Sequence, residues 1–411
     1  MSDRSPGPPD RLSEPLDFRR QLLDEILPFW ESHSIDEQHG GFWTHLHRDG
    51  GRYSKGDKYL VMQTRMIYSF SIGYRVSGDR RHLEQAARGV DFLTSRFRDT
   101  RRGGWVWTVT RGGDQLDRAK RPYALAFVVY SLAEFARVSG DARALELAQQ
   151  SWDEVHQHGW DRELGGFYHE LGEDWTPVNT TKRIDTMLHN MEGVSGLYAA
   201  TGDSQYLDAI RQLCDTIVER TWDEESGCTH EWFYRDWRED LTNTGGKANY
   251  GHIAETAWFL ASVAAFTGEA RYRELAQAEL DYALRHGWDQ EHGGLYSYGD
   301  PRGEVTDTRK VWWMQSEFLD ALAIMYRLTD EQRYMDVLRR QAAYVATCQR
   351  DPIFGEWYAL CGADGTPIDA RKGHEYKAAY HVVQGLYQAD RHLEAARAGQ
   401  RTSDTWADWA L

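Results

Sequence analysis

An internal repeat that returns six times constrains the fold of this 411-residue chain more than any other feature. One marker of the repeat is a turn made of a small residue, a glycine and an acid. The glycines of the first four turns are 62, 62 and 66 residues apart. Such self-similarity is the signature of like units that bury their apolar faces against one another. The turns begin at Ser77, Ser139, Thr201 and Thr267, and Thr329 with Asp330 forms a degenerate fifth turn.

The second marker of the repeat is a glycine-aromatic element that usually follows an acid. It occurs at 36–43, 99–105, 161–168, 289–296 and 351–358, and only its aspartate and glycine remain at 223–227. Between the two markers each unit carries two helical stretches. Those at 206–220 and 272–285 alternate apolar and charged residues at helical spacing, which predicts amphipathic outer helices. Those at 123–138 and 253–266 are apolar almost all round, which predicts buried inner helices.

Six units of two helices predict an all-α (α/α)6 barrel with six inner and six outer helices. An open solenoid needs polar capping repeats at its ends. The first and sixth repeats of this chain carry the same pattern as the middle ones, which favours closure into a ring. The inner-to-outer connections are short, whereas the outer-to-inner connections are long, and long loops in a compact domain are usually functional. Short β-hairpins are expected in those loops, at 166–170 and 294–298.

The repeat makes the chain one large domain, and the expected boundaries lie outside the first and last units. We expect a single catalytic domain over 15–395. The segment 1–14 is rich in proline and charge, which predicts disorder. The tail at 396–411 breaks the repeat pattern.

The composition argues against several classes of partner. The formal net charge of −16 disfavours nucleic acid and anionic membranes. The chain has no uncharged apolar run of 18 residues and no secretory leader pattern. Its four cysteines show no CxxC spacing, which favours a cytoplasmic protein with free thiols. No dinucleotide or phosphate-loop motif is present. We therefore expect a small-molecule ligand, no cofactor, and a monomer or homodimer.

Polar residues recur at one register of the inner helices. Counting 13 residues back from each turn glycine gives Arg65, Phe127, His189 and Glu255. Three of these four are polar although their segments are apolar. Buried ionisable groups are costly unless they are paired or line a wet cavity. When neighbouring and equivalent positions are added, six residues of the inner helices are expected to face one cavity: Arg65, His189, His252, Glu255, Glu317 and His381.

Each of these residues also has a purely structural interpretation. A single histidine in an apolar helix is usually a core residue, and Arg65 with Glu317 has the composition of a structural ion pair. The spacings His189-x-x-Glu192 and His252-x-x-Glu255 would suit a metal, but the further carboxylates of a di-metal site are not evident, so we expect none. Trp312 and Trp313 are candidates either for packing or for stacking on a sugar.

Five motifs, in order along residues 15–395, make the chain resemble the N-acylglucosamine 2-epimerase superfamily. That superfamily includes cellobiose and mannose 2-epimerases and mannose isomerases, and its fold is an (α/α)6 barrel, in agreement with the repeat. The motifs are Arg65, Leu188-His189-x-x-Glu192, Gly251-His252-x-x-Glu255-x-x-Trp258, Trp312-Trp313-x-Gln315-x-Glu317 and Tyr380-His381.

The resemblance assigns roles to these positions. It implies that His252 and His381 are paired acid/base histidines, that His189 is a third histidine near the sugar, and that Arg65 lies near the C1 and C2 oxygens. It also implies that the carboxylates of Glu255 and Glu317 orient the histidines or bind hydroxyl groups of the sugar. Many members have a proline before the aromatic-histidine pair and an arginine three residues after it, where this chain has Ala379 and Gln384. The expected substrate-binding residues are Glu255, Glu317, Trp312, Trp313, Tyr123, Trp258 and Tyr380.

These residue types suit chemistry at C2 of an aldose. Epimerisation needs a base that reaches the C2 proton and a donor that holds the resulting enediolate. Histidine suits the first role and the charged fork of Arg65 the second. His189 is expected to assist ring opening or to hold O1 and O5. We expect a cofactor-independent 2-epimerase of the mannose/glucose type. The alternatives are an aldose–ketose isomerase, an N-acylglucosamine or cellobiose 2-epimerase, a glycoside hydrolase using Glu255, Glu317 or Asp185, and a non-catalytic sugar-binding protein.

Overall fold

The computed structural model describes residues 16–244, 247–300 and 302–401. Within these ranges, two layers of helices alternate along the chain around one axis, and the expected (α/α)6 barrel is confirmed. The segment 1–14, expected to be disordered, lies outside the described residues, as does most of the tail expected at 396–411. The boundaries of the single domain at 15–395 stay a prediction.

The inner layer consists of six helices of 18 residues each. Each inner helix packs against the next one in sequence, and the sixth packs against the first, so the ring is closed. Their side chains are buried almost all round, as their apolar composition predicts. The inner helices span Leu60–Ser77, Pro122–Ser139, Ile184–Thr201, Tyr250–Thr267, Trp312–Thr329 and Tyr380–Arg397.

The outer layer consists of amphipathic helices, four of which contain a π-helical turn. A further short helix, Leu241–Thr244, lies in the fourth long loop. The outer helices span Phe18–Gln21 with Leu22–Ile26 and Leu27–His33, Arg80–Phe92 with Leu93–Phe97, Ala142–Gly159, Ser204–Thr221, Ala270–Tyr282 with Ala283–Gly287, and Gln332–Tyr344 with Val345–Gln349.

The turn marker of the repeat joins an inner helix to the following outer helix. Gly78 ends the first inner helix with φ 71°, a left-handed conformation that glycine adopts without strain. Asp79 then caps the outer helix by accepting a hydrogen bond from the backbone N–H of Arg81. The degenerate fifth turn keeps the same geometry, since Asp330 has φ 59°.

Short antiparallel strands in the long loops cover the other end of the barrel. The strands expected at 166–170 and 294–298 begin later, because Phe167 and Leu295 form only single bridges, to Trp160 and Trp288. Three of the six sheets in the described ranges join the strand before one inner helix to a hairpin in the next long loop. The sheets are Lys58–Tyr59 with Thr108–Val109 and Gln115–Asp117; Glu170–Leu171 with Pro177–Asn179; Lys182–Arg183 with Trp232–Phe233; Trp222–Asp223 with Cys228–Thr229; Ala248–Asn249 with Tyr298–Gly299 and Val305–Asp307; and Lys310–Val311 with Leu360–Cys361 and Pro367–Asp369.

A buried lysine–aspartate pair recurs in five of the six units. The aspartate is the one that opens the glycine-aromatic element, and the lysine lies in the chain that leads into the next inner helix. All five lysine side chains are fully buried, and the Nζ–Oδ2 distances are between 2.8 and 3.2 Å. The pairs are Lys58–Asp36, Lys120–Asp99, Lys182–Asp161, Lys310–Asp289 and Lys372–Asp351.

Arginines link neighbouring loops and close the ring. Arg111 of the second loop pairs with Asp36 of the first at 2.8 Å. In the same manner, Arg48 of the first loop pairs with Asp351 of the sixth at 2.7 Å. The first and last units therefore meet through the same contact that joins units adjacent in sequence. This contact explains why their sequences need no polar caps.

Replacing Lys310 by methionine should lower the free energy of unfolding by about 3–5 kcal/mol, because Asp289 would keep a buried charge without its partner. The matched control is Arg20→Met, since Arg20 and Asp24 form an exposed pair, and its cost should stay below about 1 kcal/mol. Urea denaturation of both variants measures the difference. Equal losses of unfolding free energy in the two variants would show that burial does not increase the contribution of the pair to stability.

Candidate active site

A cavity of about 720 Å³ opens at the strand-bearing end of the barrel. Eight of the eleven residues expected at the site line it, and Glu317, Trp258 and Tyr380 do not. These three side chains are buried, and direct substrate binding by them stays a prediction. The eight are Arg65, Tyr123, His189, His252, Glu255, Trp312, Trp313 and His381.

His381 is held by a carboxylate behind it. His381 is the second residue of the sixth inner helix. Its Nδ1 atom lies 2.7 Å from Oε1 of Glu317 on the neighbouring helix. The other oxygen of Glu317 accepts a hydrogen bond of 2.8 Å from the indole of Trp258. Glu317 and Trp258 thus orient the imidazole.

His252 has a carboxylate partner that the sequence analysis missed. It lies in the first turn of the fourth inner helix, and its Nδ1 is hydrogen-bonded to Glu231 in the preceding loop. Asn249 donates to the same Glu231 oxygen at 2.8 Å and also caps the helix through the backbone N–H groups of Gly251 and His252. The fourth loop has the most degenerate glycine-aromatic element, so superposing the repeats gave no signal for Glu231.

His189 completes a set of three similar pairs. Its Nδ1 lies 3.1 Å from Oε2 of Glu192, one turn later on the same helix, and Tyr380 donates its hydroxyl to the other oxygen of Glu192. Tyr380 therefore supports His189 indirectly, through its hydrogen bond to Glu192. In all three pairs Nδ1 is occupied by a glutamate, which leaves Nε2 for the cavity. A carboxylate at Nδ1 favours the tautomer with its proton there, so each Nε2 is a potential base.

The three imidazoles surround the floor of the cavity. The rings of His252 and His381 both pack on Trp313, with centroid distances of 4.9 and 5.7 Å. The rings of His189 and His381 are 6.4 Å apart. Chain positions 189, 252 and 381 thus converge because they lie near the starts of inner helices that belong to one ring.

Arg65 provides a buried positive charge in the wall of the cavity. Its guanidinium donates to the backbone carbonyl of Tyr376 and, at 3.0 Å, to the hydroxyl of Tyr123. Its Cζ atom lies 4.3 Å from the ring centroid of Phe127. Arg65 makes no ion pair with Glu317, so the structural-pair interpretation is wrong: the partner of Glu317 is His381.

Burial and neighbouring charges shift the protonation of the site. Burial and the charge of Arg65 lower the pKa of His189 and His381 well below 6.5. Burial raises the pKa of Glu255 and Glu317 well above 4.5, and nearby carboxylates add to the effect. Burial also raises the pKa of Glu192 to about 7. Burial therefore opposes charge on the imidazoles and on the carboxyl groups alike.

Arginine–tryptophan stacks form the rim of the cavity. The guanidinium of Arg183 lies 4.1 Å from the ring of Trp232 and pairs with Asp185 at 2.5 Å. The guanidinium of Arg121 lies 4.3 Å from the ring of Trp107. The sequence offers Asp185 only as a candidate carboxylate of a hydrolase and carries no signal for either stack. Arg183 and Trp232 come from different loops, whereas Arg121 and Trp107 lie in the same long connection.

The described residues contain no group of three or more His, Cys, Asp or Glu side chains arranged to hold a metal ion. No helix within the described ranges is long and apolar enough to cross a membrane.

Comparison with known proteins places this chain among sugar-modifying enzymes. It is 25% identical over 381 residues to a cellobiose 2-epimerase of Bacteroides fragilis, covering 89% of this chain and 95% of that protein. It is 25% identical over 386 residues to a D-mannose isomerase of Marinomonas mediterranea, covering 92% and 97%. The structure of a cellobiose 2-epimerase from Bacillus thermoamylovorans has a TM-score of 0.85 at 25% identity and covers 93% of this chain and 99% of that one. The model of the N-acylglucosamine 2-epimerase family matches residues 41–385, and the chain belongs to this family.

Proposed function

We propose that this protein, an enzyme acting on carbohydrates, is a 2-epimerase of a free aldose and uses His252 and His381 as its acid/base pair. The observation that carries the proposal is that both imidazoles line one cavity, pack on Trp313, and hold Nδ1 against a glutamate. That arrangement supplies two bases to a single bound molecule. The family and both relatives described above support sugar chemistry of this kind.

The reaction begins with the open-chain aldehyde, whose C1 carbonyl makes the C2 proton acidic. One imidazole removes the C2 proton, and the electrons move into an enediolate whose negative charge lies on the C1 oxygen. Arg65 stabilises this charge, because its guanidinium lines the cavity and presents a planar fork of N–H donors. The other imidazole then delivers a proton to the opposite face of C2, which inverts its configuration. The two histidines exchange roles when the reaction runs backwards.

The protonation of the site supports this assignment. A base must be neutral at the working pH, and burial with Arg65 keeps His381 in that form. Two histidines on opposite sides of C2 favour epimerisation, whereas delivery of the proton to C1 would give a ketose. The aldose–ketose isomerase is the second candidate, because the D-mannose isomerase relative is as similar to this chain as the cellobiose 2-epimerase is.

The substrate proposed is a free mannose- or glucose-type sugar, with N-acylglucosamine and cellobiose as alternatives. A glycoside hydrolase would need two carboxylates facing its substrate. Glu255 and Asp185 line the cavity whereas Glu317 does not, so a hydrolase stays an alternative, which the three histidines of the same cavity disfavour. A cofactor-independent reaction, a cytoplasmic location and a monomeric or homodimeric state stay predictions.

A panel of sugars in D2O tests the proposed reaction directly. The enzyme is incubated with mannose, glucose, N-acetylglucosamine, cellobiose and fructose, and the products are followed by NMR. We expect deuterium at C2 of an aldose and of its epimer. Deuterium at C1 of a ketose would identify the isomerase instead, and cleavage of a glycoside without exchange would identify a hydrolase.

Replacing His381 by asparagine should lower the rate of C2 exchange by about 100-fold or more, because general acid–base catalysis contributes that much. The same loss is expected for His252→Asn. The control is His292→Asn, since the His292 side chain is 41% exposed in the fifth loop and does not line the cavity. Wild-type exchange by the His381 variant would refute the assigned role.

The pH dependence of kcat/KM should reflect the depressed pKa of His381. Because burial and Arg65 lower this pKa well below 6.5, the basic form persists as the pH falls through that value. The acid limb of kcat/KM for C2 exchange should therefore lie below pH 6.5. Measurements from about pH 8 to about pH 5 cover the range in which histidine titrates. An acid limb above pH 6.5 would contradict the neutral-imidazole assignment.

A further inference from the structure

A buried carboxyl group outside the cavity takes no part in the proposed proton transfers. Glu279 lies on the fifth outer helix, and its side chain is completely buried. Its Oε1 accepts the backbone N–H of Thr229 in the fourth long loop at 2.9 Å. Its Oε2 has no hydrogen-bond partner within the part of the chain that the structure describes. An ionisable group is costly to bury in this way, so the position calls for an explanation.

The repeat makes the position of Glu279 comparable between units. It lies 11 residues after the turn glycine Gly268, and the same count in the other units gives Gly89, Ser151, Leu213 and Gln341. Glu279 is the one carboxyl group of this set. The difference between units therefore lies in what the fifth outer helix presents to the fourth loop.

The loop and the helix exchange sizes in the fourth unit. In the first unit the loop supplies a ring, and a Cβ atom at Gly89 would lie 2.7 Å from the ring of Phe42. In the second unit the indole of Trp105 donates to Ser151 at 2.9 Å. The fourth loop has Thr229 at the position of these rings, and the helix supplies the longer side chain. Glu279 thus reaches the loop with a polar group at a place where the first two units are filled by a ring.

The segment that Glu279 contacts leads directly to the partner of His252. Thr229 ends the strand Cys228–Thr229, and Glu231 follows two residues later. Glu231 is hydrogen-bonded to Nδ1 of His252 and accepts the Asn249 amide at 2.8 Å. A shift of this segment would therefore move the carboxylate that orients a proposed catalytic histidine.

The groups around Glu279 do not neutralise a negative charge. Burial raises the pKa of the neighbouring Cys228 thiol to about 12. Near that thiol are the hydroxyls of Tyr282 and Tyr250, whose pKa burial raises above 10. The helix also carries charged residues in partly exposed ion pairs with the adjacent outer helices, Arg271 with Asp215 and Asp281 with Arg333. Burial raises the pKa of Glu279 to about 8, opposed by the hydrogen bonds of Thr229, so the neutral acid prevails at pH 7.

We propose that Glu279 is a positioning residue: its neutral carboxyl fastens the segment from Thr229 to Glu231 to the fifth outer helix and so holds Glu231 against His252, and its ionisation loosens the segment and slows the reaction. The inference rests on the proposed function in taking His252 as one of the acid/base pair. It adds a support for that histidine in the outer layer of the barrel, and a dependence of that support on pH.

The direction of the pH dependence follows from burial. When the segment opens, Glu279 meets water and ionises with its ordinary pKa of 4.5, whereas in the closed form its pKa is about 8. The closed form therefore binds more protons between these two values. The free energy of opening should fall as the pH rises from 4.5 to about 8 and stay constant above that.

Hydrogen–deuterium exchange of the segment tests the fastening independently of activity. Peptides that cover residues 228–231 are followed by mass spectrometry in the wild type and in Glu279→Gln. Glutamine keeps an oxygen for the N–H of Thr229 but cannot ionise. Rates are compared at equal pH, so the intrinsic pH dependence of exchange cancels. The ratio of wild-type to variant rates should rise about tenfold per pH unit from about pH 6 to about pH 8 and then level off. A ratio that is constant over this range would overturn the inference.

Kinetics of C2 exchange test the link to His252. Glu279→Leu removes the acceptor for Thr229, so kcat at pH 7 should fall about tenfold with little change in KM, because orientation rather than binding is lost. The matched control is Gln341→Leu, at the same register of the sixth outer helix, because Gln341 is equally buried but binds Gln315 of the fifth inner helix. This control should keep the wild-type kcat, and an equal loss in both variants would contradict a specific role of Glu279.

A double-mutant cycle shows whether Glu279 acts through Glu231. In a Glu231→Gln background, the further change Glu279→Leu should lower kcat no more, because the contact that it supports is already lost. A full tenfold loss in that background would overturn the inference. Between about pH 7 and about pH 9, kcat of the wild type should also fall several-fold more than that of Glu279→Gln, each relative to its own value at pH 7.

The two kinds of measurement separate this inference from the proposed function. If no sugar exchanges its C2 proton, the proposed function fails, and hydrogen exchange of the segment still decides whether Glu279 fastens it. If C2 exchange occurs while the ratio of segment exchange rates does not change with pH, only the role of Glu279 is refuted.

Discussion

The buried lysine–aspartate pair is the interaction on which the rest of the structure depends. Each aspartate organises its own loop, as Asp289 does by accepting the backbone N–H groups of Glu291 and His292. Its other oxygen binds a lysine in the chain that leads into the next inner helix, such as Lys310. A buried charge must be paired, so the pair holds the start of the helix at a defined height above the loop. Repetition of this contact brings the helix starts to one level and creates the cavity between them.

The unit that lacks the lysine is the one that carries His252. Ala248 lies two residues before the fourth inner helix, where four of the other units have their lysine. The space near this position holds Glu231 and Asn249, which bind each other and fix His252. Departures from a repeat are expected where function requires a different residue. The fourth unit thus exchanges a structural ion pair for a hydrogen-bond network that supports a proposed catalytic group.

The charges of the cavity follow from its position inside a ring of apolar helices. Burial disfavours every charged form, so His189 and His381 are driven towards the neutral base and Glu255 towards the neutral acid. Arg65 remains as the fixed cation beside them. A neutral base, a neutral acid and a positive charge are the components required to move a proton and to stabilise the oxyanion that results.

The sequence by itself determined the repeat, the two layers, the closure of the ring and the common register of Arg65, His189 and Glu255, because helical periodicity and turn glycines are local properties of the chain. It also brought His252 and His381 to the same cavity, since both lie at the starts of inner helices. Only the tertiary structure decided which carboxylate supports which histidine. Glu317 turned out to support His381, and Glu231, in the most irregular loop, was found as the partner of His252. Such contacts join side chains from separate units, and no periodicity within one segment specifies them.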